Sequence, residues 1–273
     1  MYKCLALAGA AIALLTILHW RTSPGAILWI LPNPYILRAG FPLLNHNQFA
    51  SLMEICIAPA VVLALQNNGP GPYFLALTSM AAAVFVTGSR SGAAIVIAEL
   101  ALLAFLHLRS ARSGMPRILL PGLMLAIVIG GVGWQEFANR MGASQRDDLR
   151  PLFAASTVNM IRSRAIFGYG LGTWPDVYPA FATVDPGLIV DHAHDDWLEW
   201  SAEGGVVFAG AMLALALFTA RIAWKEPWGI GFAAVFVQCS VDFPLHKPVL
   251  IALQMAGVAA LASYKFSQIE PTL

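Results

Sequence analysis

Eight apolar stretches, at 4–19, 49–65, 73–87, 91–108, 118–133, 205–220, 228–241 and 248–264, divide this chain of 273 residues. Stretches of this kind form helices, either inside a soluble core or across a bilayer. Eight core helices in so small a chain would leave almost no polar surface to face water. Hydrophobic residues make up 58% of the chain and charged residues 11%, against roughly 45–50% and about 25% in soluble domains. Several runs are shorter than the ~20 residues of a full crossing. The pattern as a whole still predicts an all-α, polytopic membrane protein of about eight transmembrane helices, a single integral-membrane domain over 1–273. The first run follows Lys3, lacks a small-x-small cleavage site and is followed directly by Arg21 and Pro24, so it reads as a retained span.

Loop charges give the orientation, because short-loop Lys and Arg mark the cytoplasmic side. Lys3, the group Arg109, Arg112 and Arg117, the pair Arg221 and Lys225, and Lys265 all fall on one side of an eight-span arrangement. Both termini are then cytoplasmic. The opposite, periplasmic side receives 20–48, the tight turn at 88–90, a large segment at 134–204 between helices five and six, and the turn at 242–247. Nearly every unusual polar group lies on that second face. A net charge of +1 gives no basic field for nucleic acid. Cys4, Cys56 and Cys239 sit in apolar runs without metal or disulfide spacing, as buried small hydrophobes do.

Four of these polar segments carry candidate chemistry. "TGSRSG" (87–92) puts Arg90 between two apolar helices. A guanidinium beside a helix N-terminus makes a two-part anion site, side-chain donors plus free backbone N–H groups. "FGYGLGTW" (167–174) has the spacing G-x-G-x-G rather than a dinucleotide fingerprint. It is read either as a turn or as a close backbone approach to a bulky ligand. Trp174, Tyr178 and Phe181 follow and suit sugar rings or a membrane interface. "DHAHDDWLEWSAEGG" (191–205) holds two histidines, three aspartates and two glutamates. Asp196 and Glu199 are spaced as a helix cap and its partner three residues on, so a helix is predicted from Asp195 or Asp196. His194 then stands just outside a helix N-terminus. There a neighbouring carboxylate, Asp195 or Asp191, orients a neutral imidazole as a general base. His192 and His194 also form H-x-H, which leaves open a metal-dependent hydrolase. The fourth segment is "DFPLHK" (242–247). Glu54 and Glu99 lie inside predicted spans and must face protein or a polar cavity.

Taken in order, these segments resemble the O-antigen ligase and polymerase family of bacterial inner membranes. The resemblance rests on the serine-arginine motif at Arg90 and on Arg150, eighteen residues before Gly168 and the glycine-aromatic segment. It continues through the histidine motif "HAHDDWLEWSAEGG" and the "DFPLH" segment at Asp242–His246, and spans roughly residues 45–260. Asp195 stands where an Asn, Ser or Gln commonly follows the histidine, and Phe208 takes a small or tyrosine position. Full members have more spans, so the chain resembles a short or N-terminally incomplete one. The resemblance implies a glycosyltransferase that moves a glycan from undecaprenyl diphosphate to a lipid or glycan acceptor, as ligase or polymerase, without a metal or cofactor. It implies His194, Arg90 and Arg150 as catalytic residues. Asn47, Gly170, Tyr178, His192, Asp195 and Asp242 are the candidate substrate contacts on the same face. A transporter or flippase binding the same anionic lipid without cleaving it is the other open reading.

Overall fold

The computed structural model describes residues 1–23, 25–32, 40–66, 71–110, 149–184, 187 and 189–267. It is helical almost throughout. In chain order come α1 (Tyr2–Thr22), a two-residue hairpin of β1 (Ala26–Ile27) and β2 (Leu31–Pro32), α2 (His46–Gln66), α3 (Pro72–Thr87) and α4 (Arg90–Ser110). After them come α5 (Arg150–Ser163), the single turn α6 (Trp174–Val177), α7 (Asp196–Ala223), α8 (Ile230–Gln238) and α9 (Pro248–Ser267). Short 3₁₀ turns at Tyr178–Ala180, Pro227–Gly229 and Pro244–His246 join them.

Among the described residues, α1, α2, α4 and α7 are long and apolar enough to cross a membrane. The apolar segments Pro72–Thr87, Pro227–Gln238 and Pro248–Ser263 are shorter. Seven of the eight predicted runs are therefore helices of an all-α fold, four of them of crossing length. The run at 118–133 and the stretch 134–148 lie outside the described residues.

The centre of the bundle is α2. Every residue from Asn47 to Val61 is buried, as a helix apolar on all sides must be when neighbours surround it. It packs against α1, α3, α4 and α8. The close crossings use small residues, which let backbones approach within a membrane. A Cβ on Gly231 of α8 would lie 2.0 Å from the Glu54 carbonyl oxygen, and one on Gly92 of α4 would lie 2.2 Å from Ala50 Cβ. Glu54 and Glu99, the two acids predicted inside spans, are both buried in this bundle.

A second, smaller core lies at one end. Phe153 and Met160 of α5, Trp174 of α6, Tyr178, Ala193 and Ala202 of α7 bury one another. It attaches the segment after Arg150 to the first turns of α7. That helix changes character midway. At Gly205 the backbone leaves helical geometry with φ +65°, and the polar half before it gives way to an apolar half.

Candidate active site

The acids of the 191–205 stretch have the spacing of one helical face. Asp196, Glu199 and Glu203 lie at i, i+3 and i+7 of α7, and all three are buried. A buried carboxylate needs partners, and each of these takes a different segment. Asp196 accepts the Leu245 N–H at 3.0 Å through Oδ2 and holds His246 Nδ1 through Oδ1. Glu199 accepts the Ala193 N–H through Oε2 at 2.9 Å and meets His192 Nδ1 through Oε1 at 2.9 Å. Glu203 accepts the Trp174 N–H at 2.9 Å. The acidic density of this stretch is thus largely architectural, since it docks the 192–193 loop, the 242–246 turn and α6 onto one helix.

The cap falls on Asp195, whose Oδ1 accepts the Leu198 N–H at 3.0 Å. Asp196 is the first helical residue rather than the cap. Burial pushes the Asp195 carboxyl above the usual carboxylate range, against the pull of the N–H groups it caps. With its side chain turned to the helix end, Asp195 is not the acid beside the imidazole.

That acid is Asp242. His194 Nδ1 lies 3.7 Å from Asp242 Oδ1. Both His194 Nδ1 and Asp242 Oδ2 are buried with no hydrogen-bond partner among the described residues. Asp242 Oδ1 itself accepts the Phe243 N–H. His194 adopts φ +59°, a left-handed conformation that a residue with a Cβ enters at a cost and that gathers at functional sites. Its imidazole retains some exposure while Phe153 stacks beside it and Phe243 meets it edge-on.

Arg150 reaches the same segment. It opens α5, and its Nη1 donates to the Val241 carbonyl at 3.3 Å, next in sequence to Asp242. Phe153, one turn further along α5, is the ring on His194. Arg90 is the first residue of α4 and half-buried. Its turn is tied to this end of the molecule from both sides. Ser89 donates to Asn47 Oδ1 at 2.7 Å, and Gln238 Nε2 donates to Ser91 Oγ at 3.0 Å. Gln238 closes α8, and the carbonyls of Cys239 and Asp242 just beyond accept the Asp196 N–H.

The other predicted contacts fall in two groups. Asn47 is buried and links α2 to the Arg90 turn. Tyr178 is buried, stacked on Trp174 at 4.5 Å. Gly170, at φ +119°, donates its N–H to the Glu203 carbonyl. The close approach that excludes a side chain in this segment is at Gly168, where a Cβ would lie 2.3 Å from the same Glu203 carbonyl oxygen. Gly168 and Gly170 therefore meet α7, while Gly172 faces open space.

His192 faces His246 rather than His194. One ligand atom from each of His192, His246 and Glu199 lies within 4.8 Å of the others, donors of a type that a zinc-class cation accepts. Glu199 Oε1 already meets both rings, hydrogen-bonded to His192 Nδ1 at 2.9 Å and 3.3 Å from His246 Nε2. Burial alone would lower the His246 pKa. The hydrogen bond and charge of Asp196, with the charges of Glu199 and Glu203, outweigh it and hold the imidazole above its ordinary value. The sequence marked His246 only as the end of the "DFPLH" segment; its part in the cluster comes from a contact fifty residues away in the chain.

A bundle of apolar helices that gathers arginine, histidine and paired carboxylates at one end is a multi-pass membrane protein with a polar site at the mouth of its bundle. Residues 75–214 match the family described as O-Antigen ligase. That is more than half of the chain, which belongs to the O-antigen ligase family. It is accordingly a membrane glycosyltransferase of O-antigen ligase or polymerase type that works on lipid-linked glycans. The matched range runs from α3 into α7 and contains Arg90, Arg150, His192 and His194; Asn47, Asp242 and His246 lie outside it. No curated protein matches the chain significantly.

Proposed function

We propose that the protein transfers a glycan from a polyprenyl-diphosphate carrier to an acceptor hydroxyl at the periplasmic face of the bacterial inner membrane. Displacing a diphosphate from an anomeric carbon makes two demands. Negative charge growing on the leaving oxygen must be stabilised, and the acceptor must lose a proton. Arg90 and Arg150 meet the first, since a guanidinium fork matches phosphate oxygens and stays charged at any working pH. They supply what a divalent cation would otherwise supply, and the reaction is read as metal-independent. His194 meets the second. Its Nε2 takes the acceptor proton as the acceptor oxygen bonds to the anomeric carbon and the carbon–phosphate oxygen bond breaks. Polyprenyl diphosphate leaves, and a single displacement inverts the anomeric centre. Asp242, 3.7 Å from Nδ1, is placed to accept Nδ1–H once substrate draws the two together, which would fix the tautomer that leaves Nε2 free.

The observation that carries this reading is the meeting of His194, Asp242 and the Arg150 guanidinium on the segment Val241–Asp242. Orientation has its own support. Arg109 and Arg221 close the helices that Arg90 and Asp196 open, so the basic ends of α4 and α7 are opposite the site, as the positive-inside rule asks.

The test is transfer by purified protein from a lipid-linked glycan to an added acceptor. His194→Ala is expected to lose about 10²–10⁴-fold in rate. Arg90→Lys is expected to lose about 10²–10³-fold, by analogy with a lost oxyanion donor. Undiminished turnover in His194→Ala removes the base. Retention of anomeric configuration in the product removes the single displacement. Lipid binding by the intact protein without new glycosidic product would favour a carrier instead.

A further inference from the structure

The loop between α5 and α6 carries large apolar side chains that the protein leaves uncovered. Ile166 is 60% exposed, Phe167 77% and Leu171 63%. Isolated apolar residues on a surface mean little. These three share one loop, and its place is fixed by backbone hydrogen bonds to α7 on both sides of the Gly205 kink. The Val206 N–H donates to the Ala165 carbonyl at 2.8 Å, and Tyr169 and Gly170 donate to Ala202 and Glu203.

Below the kink α7 is apolar and open. Val206, Leu213 and Leu217 are exposed along one face at i, i+7 and i+11, with Val207 and Phe218 beside them. From Gly205 to Ala223 the helix rises roughly 27 Å at 1.5 Å per residue, close to the ~30 Å hydrocarbon thickness of a bilayer. If this half crosses the membrane, its upper end lies at the hydrocarbon boundary, and the loop bonded to that end lies there too. The uncovered side chains of the loop continue the lipid-facing surface of the span. Arg162 and Arg164, both exposed, stand at the start of the loop. Arg164 lies over the Tyr169 ring at 4.7 Å, an arrangement common where aromatic and basic residues sit at headgroup level.

We infer that residues 164–171 form a membrane-inserted wedge. Ile166, Phe167 and Leu171 enter the acyl region of the leaflet nearest His194, and Arg162 and Arg164 contact lipid phosphates. The inference requires membrane insertion of α7 and is independent of the chemistry proposed for His194. A wedge here would also place lipid acyl chains beside the helix that carries the site.

The test uses the full chain in nanodiscs of phosphatidylcholine and phosphatidylglycerol, with no turnover measured. Cys4 is exposed, whereas Cys56 and Cys239 are buried. A Cys4→Ser background therefore accepts a single nitrobenzoxadiazole label at Phe167→Cys or, separately, at Leu171→Cys. Both labels are expected to lose most of their emission to lipids with a doxyl group high on the acyl chain. They should resist aqueous iodide. Adding Arg162→Gln and Arg164→Gln is expected to weaken lipid quenching most in anionic discs. Quenching by iodide but not by doxyl lipid would show a solvent-exposed loop and overturn the wedge. Protection from both quenchers would show the patch covered by protein and overturn it equally.

Discussion

Asp242 and His194 stand 3.7 Å apart, beyond hydrogen-bond reach, and each keeps a buried polar atom without a partner among the described residues. Asp242→Asn tests what the carboxylate does for the imidazole. An amide can still accept the Phe243 N–H, so the turn is expected to fold, while the anionic partner of the ring is lost. The expected outcome is a fall in kcat of about 10-fold or more with little change in KM, which a steady-state transfer assay separates. Asp195 makes a contrasting case because its carboxylate caps α7. Asp195→Ala is expected to lower stability by about 1 kcal/mol, seen as a lower melting temperature in detergent. The sequence pointed to His194, Arg90 and Arg150 through motif and position. It gave the orienting acid to Asp195 or Asp191 because they are neighbours in the chain. The acid beside the ring comes from a turn nearly fifty residues later, and local spacing has no means of showing that.

At the scale of elements, the polar half of α7 is a docking rail. Its acids were legible as a cluster, and their spacing at 196, 199 and 203 was legible as a helical face. Their partners were not, because Trp174, Ala193 and Leu245 come from three separate segments. Glu203→Ala would leave the Trp174 N–H buried without an acceptor, at a cost of about 1–3 kcal/mol. Glu203→Gln keeps an acceptor and is expected to recover most of it, a difference that thermal melts resolve. The His246 end of the rail is expected to respond to pH. Asp196, Glu199, Glu203 and His192 surround the ring, and its folded pKa is raised above 6.5. Folding then favours the protonated form. That stabilisation is fully present below pH 6.5 and is lost as pH rises through the elevated folded value. Melting temperature is expected to fall across that interval, and His246→Gln to flatten the fall.

Over the whole molecule, hydrophobic patterning carried most of the fold. Seven of eight apolar runs are described as helices, and their ends sit close to the polar residues predicted to bound them. What patterning could not show is which helix is central, since α2 and α4 read alike in composition and only α2 is buried throughout. Close packing around α2 makes its contacts intolerant. Gly231→Leu would force side-chain atoms against the Glu54 carbonyl, and overpacking of this kind costs about 1–3 kcal/mol or more. A strongly lowered melting temperature with an unchanged α-helical spectrum is the expected reading. The docking rail has one more consequence. Glu203 binds a segment that precedes α7, Asp196 binds a turn that follows it, and Glu199 meets one of each. A polypeptide severed in the connection at Lys225–Glu226 would therefore put the imidazole of His194 in one fragment and its carboxylate in the other. Neither piece alone would hold a complete centre, and co-expressed halves would regain one only by reassembling along that helix.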